Sequence, residues 1–120
     1  MRLALALVIA LALASSVQSY HRLFMLPEVG HCGGSTGPGS VGGGFTEPAK
    51  VQRTAESHMV SALARWVEQG VAPNQVVATR YNADGSIARQ RPLCPYPQIA
   101  SYRGTGDLNA ASSFTCTTPT

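Results

Sequence analysis

The chain has 120 residues, of which nine are Lys or Arg and six are Asp or Glu, and its formal charge is +3. This length allows one small domain at most. The basic residues are scattered and form no stripe beside a ladder of aromatic residues, which argues against a nucleic-acid-binding function.

The N-terminus has the layout of a secretory signal peptide. Arg2 is followed by an unbroken apolar run over residues 3–14, and then by small or polar residues with Val17 and Ser19 at positions suited to cleavage. The run is shorter than the roughly 20 residues that span a bilayer, so we expect no membrane anchor. The alternative is the start of an amphipathic or buried helix, but the run has no polar residues at helical spacing. We expect residues 1–19 to be removed and residues 20–120 to be secreted, to the periplasm or outside the cell.

A short strand and a glycine-rich loop follow. Residues 20–26 predict a strand that ends at Pro27. Residues 28–44 contain eight glycines, and ordering so much flexible backbone costs about 1–2 kcal/mol per residue. Such a loop needs a larger body to hold it, or it stays mobile.

The best helical pattern runs from about residue 47 or 50 to residue 69. Its apolar positions recur at helical spacing at Met59, Leu63, Trp66 and Val67. Gly70 is a stop signal. We expect this stripe, including Trp66, to pack in the core.

The remaining third predicts one hairpin and then loops. Residues 76–81 are rich in β-branched and aromatic side chains, residues 82–85 form a turn signal, and residues 86–90 are expected to return as the second strand. The three prolines within residues 91–97 exclude a regular helix. The tail to residue 120 is expected to be loop.

A histidine on the glycine-rich loop is the first candidate for chemistry. His31 follows a predicted strand, which is where the general base of α/β-hydrolases lies. By position alone this signal is weak. Ser35 lies in a segment, GGSTG at residues 33–37, that formally matches G-x-S-x-G, but the strand–turn–helix context of a nucleophile elbow is absent from the pattern.

The sequence resembles the tannase/feruloyl esterase family. Residues 23–34 read LFMLPEVGHCGG, which is similar to that family's signature MVPGMGHCxGG. The likeness continues through WVEQGVAP at 66–73 and RPLCPYP at 91–97, and ends with FTC at 114–116. It covers about residues 20–116. Glu28 and Val29 depart from the Gly and Met that the family usually has.

The resemblance implies roles for four residues. His31 matches the catalytic base of a Ser-Asp-His triad. Cys32 matches a cysteine that pairs with the one just before the nucleophilic serine, and Cys94 and Cys116 match a structural disulfide. The implied fold is α/β, the C-terminal part of an α/β-hydrolase with the histidine loop, one long helix, one or two strands and disulfide-stapled loops.

The nucleophile and the acid are not found at matching positions. In α/β-hydrolases both precede the histidine along the chain. Asp84 and Asp107 follow it, and they are interpreted as a turn and a loop residue. The chain has three cysteines, an odd number for a secreted protein, so Cys32 would be left over if Cys94 and Cys116 pair.

Two functions remain open at this stage. One is a carboxylic ester hydrolase acting on small phenolic esters such as gallates or ferulates, of which this chain holds the His-bearing part and is inactive alone. The other is a non-catalytic secreted remnant or a small disulfide-bonded interaction domain. Zinc binding by Cys32 with His31 or His21 has no supporting spacing, so we expect no metal and no cofactor.

Overall fold

The computed structural model describes residues 16–31, 36–42 and 53–119, together with the single positions Ala6 and Leu13. Residues 16–18 are helical. The further elements of the described residues are the α-helix α1 (Met59–Gln69) and four strands: β1 (Val76–Tyr81), β2 (Ile87–Leu93), β3 (Ile99–Tyr102) and β4 (Phe114–Thr117). A 3-10 turn, Ala111–Ser113, precedes β4. The structure therefore mixes helix and strand, with four strands where the resemblance implies one or two. Most of the predicted signal peptide lies outside the described residues.

The first hairpin, β1–β2, forms where the sequence predicts it. The strands are antiparallel, with Val76 opposite Leu93 and Arg80 opposite Arg89. The turn between them is closed by Ser86, whose amide and hydroxyl donate to Asp84 Oδ1 at 2.9 and 2.6 Å. Both hydrogen bonds lower the pKa of Asp84, and the bond from the Ser86 hydroxyl has the larger effect. Asp84 is thus the turn residue that the sequence predicts.

Strand β2 is longer than predicted and runs through Pro92. A proline lacks the N–H that a sheet ladder uses. Pro92 lies opposite Val77, whose own N–H points away and donates to the carbonyl of Glu56 at 2.7 Å. The pair therefore needs no ladder bond at this position, so the strand tolerates Pro92.

A second antiparallel pair, β3–β4, replaces the predicted loops of the tail. Ile99 lies opposite Thr117 and Tyr102 opposite Phe114, and the two aromatic rings have centroids 5.6 Å apart. Each strand has only four residues. Strands this short show little alternation of apolar and polar residues. Each also pairs with a segment that is well separated from it in the sequence. A disulfide between Cys94 and Cys116 ties β4 to the end of β2.

Helix α1 begins later than predicted. Residues 53–58 are not helical, and Thr54–Ser57 form a turn in which His58 N donates to the carbonyl of Thr54 at 2.9 Å. His58 is the N-cap, since its Nδ1 accepts from the amide of Ser61 at 3.3 Å. Imidazole is not among the preferred capping groups, so the sequence pattern does not indicate this start. Gly70 ends the helix in the left-handed conformation, as predicted.

The predicted strand over residues 20–26 is also corrected. Only a single β-bridge forms there, between Phe24 and Pro95, among the described residues. The segment is held instead by side chains and single bonds: Tyr96 N donates to Leu23 O at 2.8 Å, and Arg22 Nη1 donates to Pro73 O at 2.6 Å. The Arg22 guanidinium also lies 5.5 Å from the centre of the Trp66 ring.

The core is small and lies under the first hairpin. Val76 and Ala78 are fully buried, and Leu93 and Cys94 are nearly so. Val76 and Ala78 are two residues apart along β1, so their side chains point to the same face of the hairpin. In α1 only Ala62 is buried, whereas Leu63 and Val67 are 56% and 77% exposed. The expectation that the apolar stripe of the helix packs in the core is therefore wrong for these two residues.

Candidate functional site

His31 lies at a turn on an exposed loop that follows residues 20–26, which are joined to Pro95 by the β-bridge at Phe24. We define the His31 loop as residues 29–36, of which 29–31 and 36 are described. Cys32 and Ser35, two residues singled out from the sequence, lie outside the described residues. The described part shows how both ends of the loop are held.

The two ends of the His31 loop meet at Glu28 and Gly37. The amide of Gly37 donates to the carbonyl oxygen of Glu28 at 3.0 Å. Gly37 is buried, and a β-carbon there would lie 2.6 Å from the carbonyl oxygens of both Pro27 and Glu28. That is closer than carbon and oxygen can approach, so this crossing requires glycine.

The C-terminal end of the loop is attached to β1. Arg80 donates from Nη1 to the carbonyl oxygen of Thr36 at 2.6 Å. A β-bridge joins Ser40 to Thr79, with backbone bonds of 3.0 and 2.9 Å in the two directions. Thr79 is itself buried in the hairpin. The first hairpin therefore anchors the C-terminal end of the loop.

Glu28, where the sequence departs from the family signature, has an unusual backbone. Its φ is +59°, in the left-handed region that favours glycine. Its carboxylate lies 3.8 Å from Nη1 of Arg89, and both side chains are partly exposed, so this ion pair adds little stability. A glutamate thus occupies a strained position three residues before His31.

This arrangement suits the task of a general base. A base must reach a reacting hydroxyl beyond its own element, which an exposed loop allows, and it must do so from a fixed position. The pinch at Glu28 and Gly37 and the attachment to β1 hold the two ends of the loop that carries His31. Sequence reasoning missed Gly37, Arg80 and Ser40, because each contacts the backbone of a residue that is distant in the sequence. The run of glycines is the sequence signal that indicates a close approach between two segments of the chain.

Most of the other residues of interest in the sequence have structural roles in a turn, a disulfide or a helix cap. Asp107 accepts from the amide of Asn109 at 2.8 Å and so closes a loop turn. Cys94 and Cys116 form the disulfide that the resemblance implies. His21 is exposed, and His58 caps α1.

A cavity of about 490 Å³ opens beside the base of the His31 loop. Pro27, Glu28 and Pro38 form one wall, and Arg89, Arg91 and Leu93, which alternate along β2, form another. Burial has the largest effect on the pKa of Arg91 and lowers it, and the positive charge of Arg89 lowers it further. His31 is not one of the lining residues, so the cavity and the histidine are separate features.

The described residues contain no group of three or more His, Cys, Asp or Glu that could hold a metal ion. No described helix has the length and apolar character needed to cross a bilayer.

Two solved structures contain this fold. An esterase from Aspergillus oryzae superposes with a TM-score of 0.75 at 22% identity, over 86% of this chain and 20% of that chain. Feruloyl esterase B from the same species superposes with a TM-score of 0.74 at 27% identity and the same coverage.

Related sequences agree with the structural match. Mono(2-hydroxyethyl) terephthalate hydrolase from Piscinibacter sakaiensis is 41% identical over 102 residues, which are 83% of this chain and 14% of that protein. Feruloyl esterase B from Aspergillus niger is 30% identical over 105 residues, which are 88% of this chain and 20% of that protein. The chain therefore spans a fifth or less of these relatives. The family described as tannase and feruloyl esterase matches residues 5–117, beginning inside the predicted signal peptide. The chain belongs to the tannase and feruloyl esterase family.

Proposed function

We propose that this chain contributes the general base, His31, to a serine carboxylic ester hydrolase that acts on small phenolic esters. The observation that carries the proposal is the pinched, exposed loop that holds His31 within a family match over residues 5–117. The names of the relatives, two feruloyl esterases and a terephthalate monoester hydrolase, support an aromatic ester as substrate.

The chemistry that we assign to His31 is acyl transfer to a serine. The imidazole takes the serine proton as the hydroxyl attacks the ester carbonyl, and it returns that proton to the departing alkoxide. In the second half it takes a proton from the water that attacks the acyl-enzyme, and it gives that proton to the serine oxygen as the bond to the acyl group breaks and the acid is released. An aspartate orients the imidazole throughout. In the chain order of α/β-hydrolases the serine and the aspartate belong to sequence that precedes His31.

This assignment predicts that the chain has no esterase activity alone. Without a serine nucleophile in the proper context no acyl-enzyme can form. The assay is release of ferulate or gallate from the methyl esters. Turnover that is lost both in His31→Ala and in Ser35→Ala would contradict the prediction and make Ser35 the nucleophile.

A chimera tests the role of His31 directly. The matched segment of the Piscinibacter sakaiensis hydrolase is replaced by the corresponding residues of this chain. We expect the chimera to hydrolyse its ester, and His31→Ala to lower kcat by about a thousandfold or more. His21→Ala is the control, because His21 is exposed on the neighbouring segment. A folded chimera that is inactive, or that is unaffected by His31→Ala, would refute the proposal.

We also propose that the chain is exported. The support is the apolar run over residues 3–14 behind Arg2, and the disulfide between Cys94 and Cys116, which persists in oxidising compartments.

A further inference from the structure

The cavity beside the base of the His31 loop is a feature that the proposed function does not use. Its volume is about 490 Å³, and His31 is not one of its lining residues. Binding sites for small molecules span about 300–1,000 Å³ and combine apolar walls with a few polar groups that orient the ligand. The composition of the walls therefore indicates which kind of molecule the cavity fits.

Most of the residues that line the cavity are apolar. Leu93 and Pro38 are buried, and Phe114 is half-buried. Ile99 and Met25 also line the cavity and are 53% and 63% exposed, so a ligand can reach them. Removing such surfaces from water favours a ligand with an apolar body, such as an aromatic ring.

Two guanidinium groups give the cavity a positive charge. Arg89 and Arg91 are two residues apart on β2, so their side chains point to the same face of the strand. Among the described residues that line the cavity, Glu28 supplies the one carboxylate. Its Oε2 lies 3.8 Å from Nη1 of Arg89, which is too long for a hydrogen bond. Two cations therefore face one weakly paired anion.

Contacts with the protein hold both guanidinium groups in place. The Arg91 guanidinium lies 4.1 Å from the centre of the Phe114 ring, and its Nη1 donates to the carbonyl of Leu108. Nε of Arg89 donates to Oδ1 of Asn109 at 3.3 Å. Because these groups are already positioned, a ligand that binds them has little ordering to impose.

The charges around Arg91 favour an anionic ligand. Burial and the neighbouring charge of Arg89 lower the pKa of Arg91, whereas the carboxylates of Glu28 and Asp107 raise it. An anion that contacts both arginines would offset their mutual repulsion. A carboxylate suits this task, because its two oxygens match the paired N–H groups of a guanidinium.

We propose that the cavity binds a small aromatic carboxylic acid, with its carboxylate on Arg89 and Arg91 and its ring against the apolar walls. The bound acid displaces the carboxylate of Glu28 from Arg89. The proposal goes beyond the proposed function, because His31 does not line the cavity. Failure of the catalytic assignment therefore leaves it standing.

The test is isothermal titration calorimetry of the full chain with ferulate, which carries one ring and one carboxylate. We expect saturable binding that is about tenfold or more tighter than that of methyl ferulate, which keeps the ring but has no charge. Acetate, which keeps the charge but has no ring, should also bind at least about tenfold more weakly. Equal binding of ferulate and methyl ferulate, or no saturable binding of ferulate, overturns the proposal.

Two substitutions should change the affinity for ferulate in opposite directions. Arg89→Gln should weaken binding by about tenfold or more, because a charge-assisted contact is lost. Glu28→Gln removes the competing carboxylate and should tighten binding by about threefold or more. Arg65→Gln, on α1 and outside the cavity, changes the net charge as Arg89→Gln does and should leave the affinity unchanged. Equal losses for the two arginine variants would indicate a non-specific charge effect and refute the site.

The remaining controls separate the cavity from misfolding and from His31. Arg89 is partly exposed, so circular dichroism of Arg89→Gln should match that of the unmodified chain. The Glu28→Gln result does not depend on that variant, and an unchanged or lower affinity there contradicts the displacement of Glu28. His31→Ala should leave ferulate binding unchanged. A loss of binding in His31→Ala would place ferulate at the histidine and overturn the proposal.

Discussion

Glu28 carries backbone strain at the base of the His31 loop, and this strain can be measured. Left-handed backbone costs a side-chain-bearing residue about 1–2 kcal/mol, a cost that glycine avoids. Glycine also gives the unfolded chain more freedom, which offsets about 0.5–1 kcal/mol of the gain. We therefore expect Glu28→Gly to be slightly more stable than the unmodified chain.

The comparison with Glu28→Ala isolates the strain. Both variants lose the ion pair with Arg89, but only alanine keeps a β-carbon at φ +59°. The free energy of unfolding in urea should be about 1 kcal/mol higher for Glu28→Gly than for Glu28→Ala. Equal stabilities would mean that position 28 is not left-handed in solution.

Gly37 is the second residue that the loop geometry depends on. Its substitution by alanine places a β-carbon 2.6 Å from two backbone oxygens, which cannot rotate away as a side chain can. We expect Gly37→Ala to cost about 1–3 kcal/mol of stability, through displacement of the chain at Pro27 and Glu28.

Gly39→Ala is the matched control for that substitution. A β-carbon at position 39 would lie 3.4 and 3.5 Å from the two methyl groups of Val29, an ordinary contact. Its unfolding midpoint in urea should stay close to that of the unmodified chain. Equal losses for the two variants would indicate that the loop is not pinched at Gly37.

At the scale of the elements, the second strand pair depends on a covalent link. β3 and β4 have four residues each, and Cys116 of β4 is bonded to Cys94, 22 residues before it. Closing a loop of that length stabilises the folded chain by about 3 kcal/mol in the chain-entropy model. The double variant Cys94→Ala and Cys116→Ala should lose about that much, measured by urea unfolding.

Peptide mapping without reduction gives the pairing itself. We expect one Cys94–Cys116 peptide and Cys32 as a free thiol or an intermolecular bridge. Cys32→Ser is the control and should leave the Cys94–Cys116 peptide unchanged. A Cys32–Cys94 or Cys32–Cys116 peptide would contradict the roles that the resemblance assigns to the three cysteines.

The elements also show where sequence reasoning succeeds. Strand β1 and its turn follow from local signals, namely β-branched residues and then an Asp-Gly turn, and both form as predicted. The tail differs because its two four-residue strands pair with each other across an intervening segment, and they are too short to show a pattern of their own. Helix α1 ends at the predicted glycine, but it begins at an unpredictable cap, His58.

The sequence motif supplies a candidate residue for the site and does not indicate the geometry around it. His31 was found through the motif around it. The pinch at Gly37 and the hydrogen bond from Arg80 to Thr36 could not be predicted from the sequence. They join positions that come close together only when the hairpin has folded. The motif singles out His31 as the candidate base, and contacts with the hairpin hold the end of its loop.

At the scale of the whole molecule, export is the property that the N-terminus predicts. The secreted chain should be cut close to Ser19, and intact-mass analysis should give an N-terminus near Tyr20. The cut removes Gln18, which donates from Nε2 to the carbonyl of Tyr96 at 2.7 Å. This bond is exposed, so its loss should cost no more than about 1 kcal/mol. Cytosolic protein that retains Met1 would contradict the prediction.

The disulfide has one more consequence, for what happens when a protease reaches the chain. Arg103 and Gly104 are exposed in the connection between β3 and β4, and both lie between the bonded cysteines Cys94 and Cys116. A trypsin-like cut after Arg103 therefore opens a covalent ring and releases neither piece. The nicked product stays joined as two chains that separate only when the disulfide is reduced.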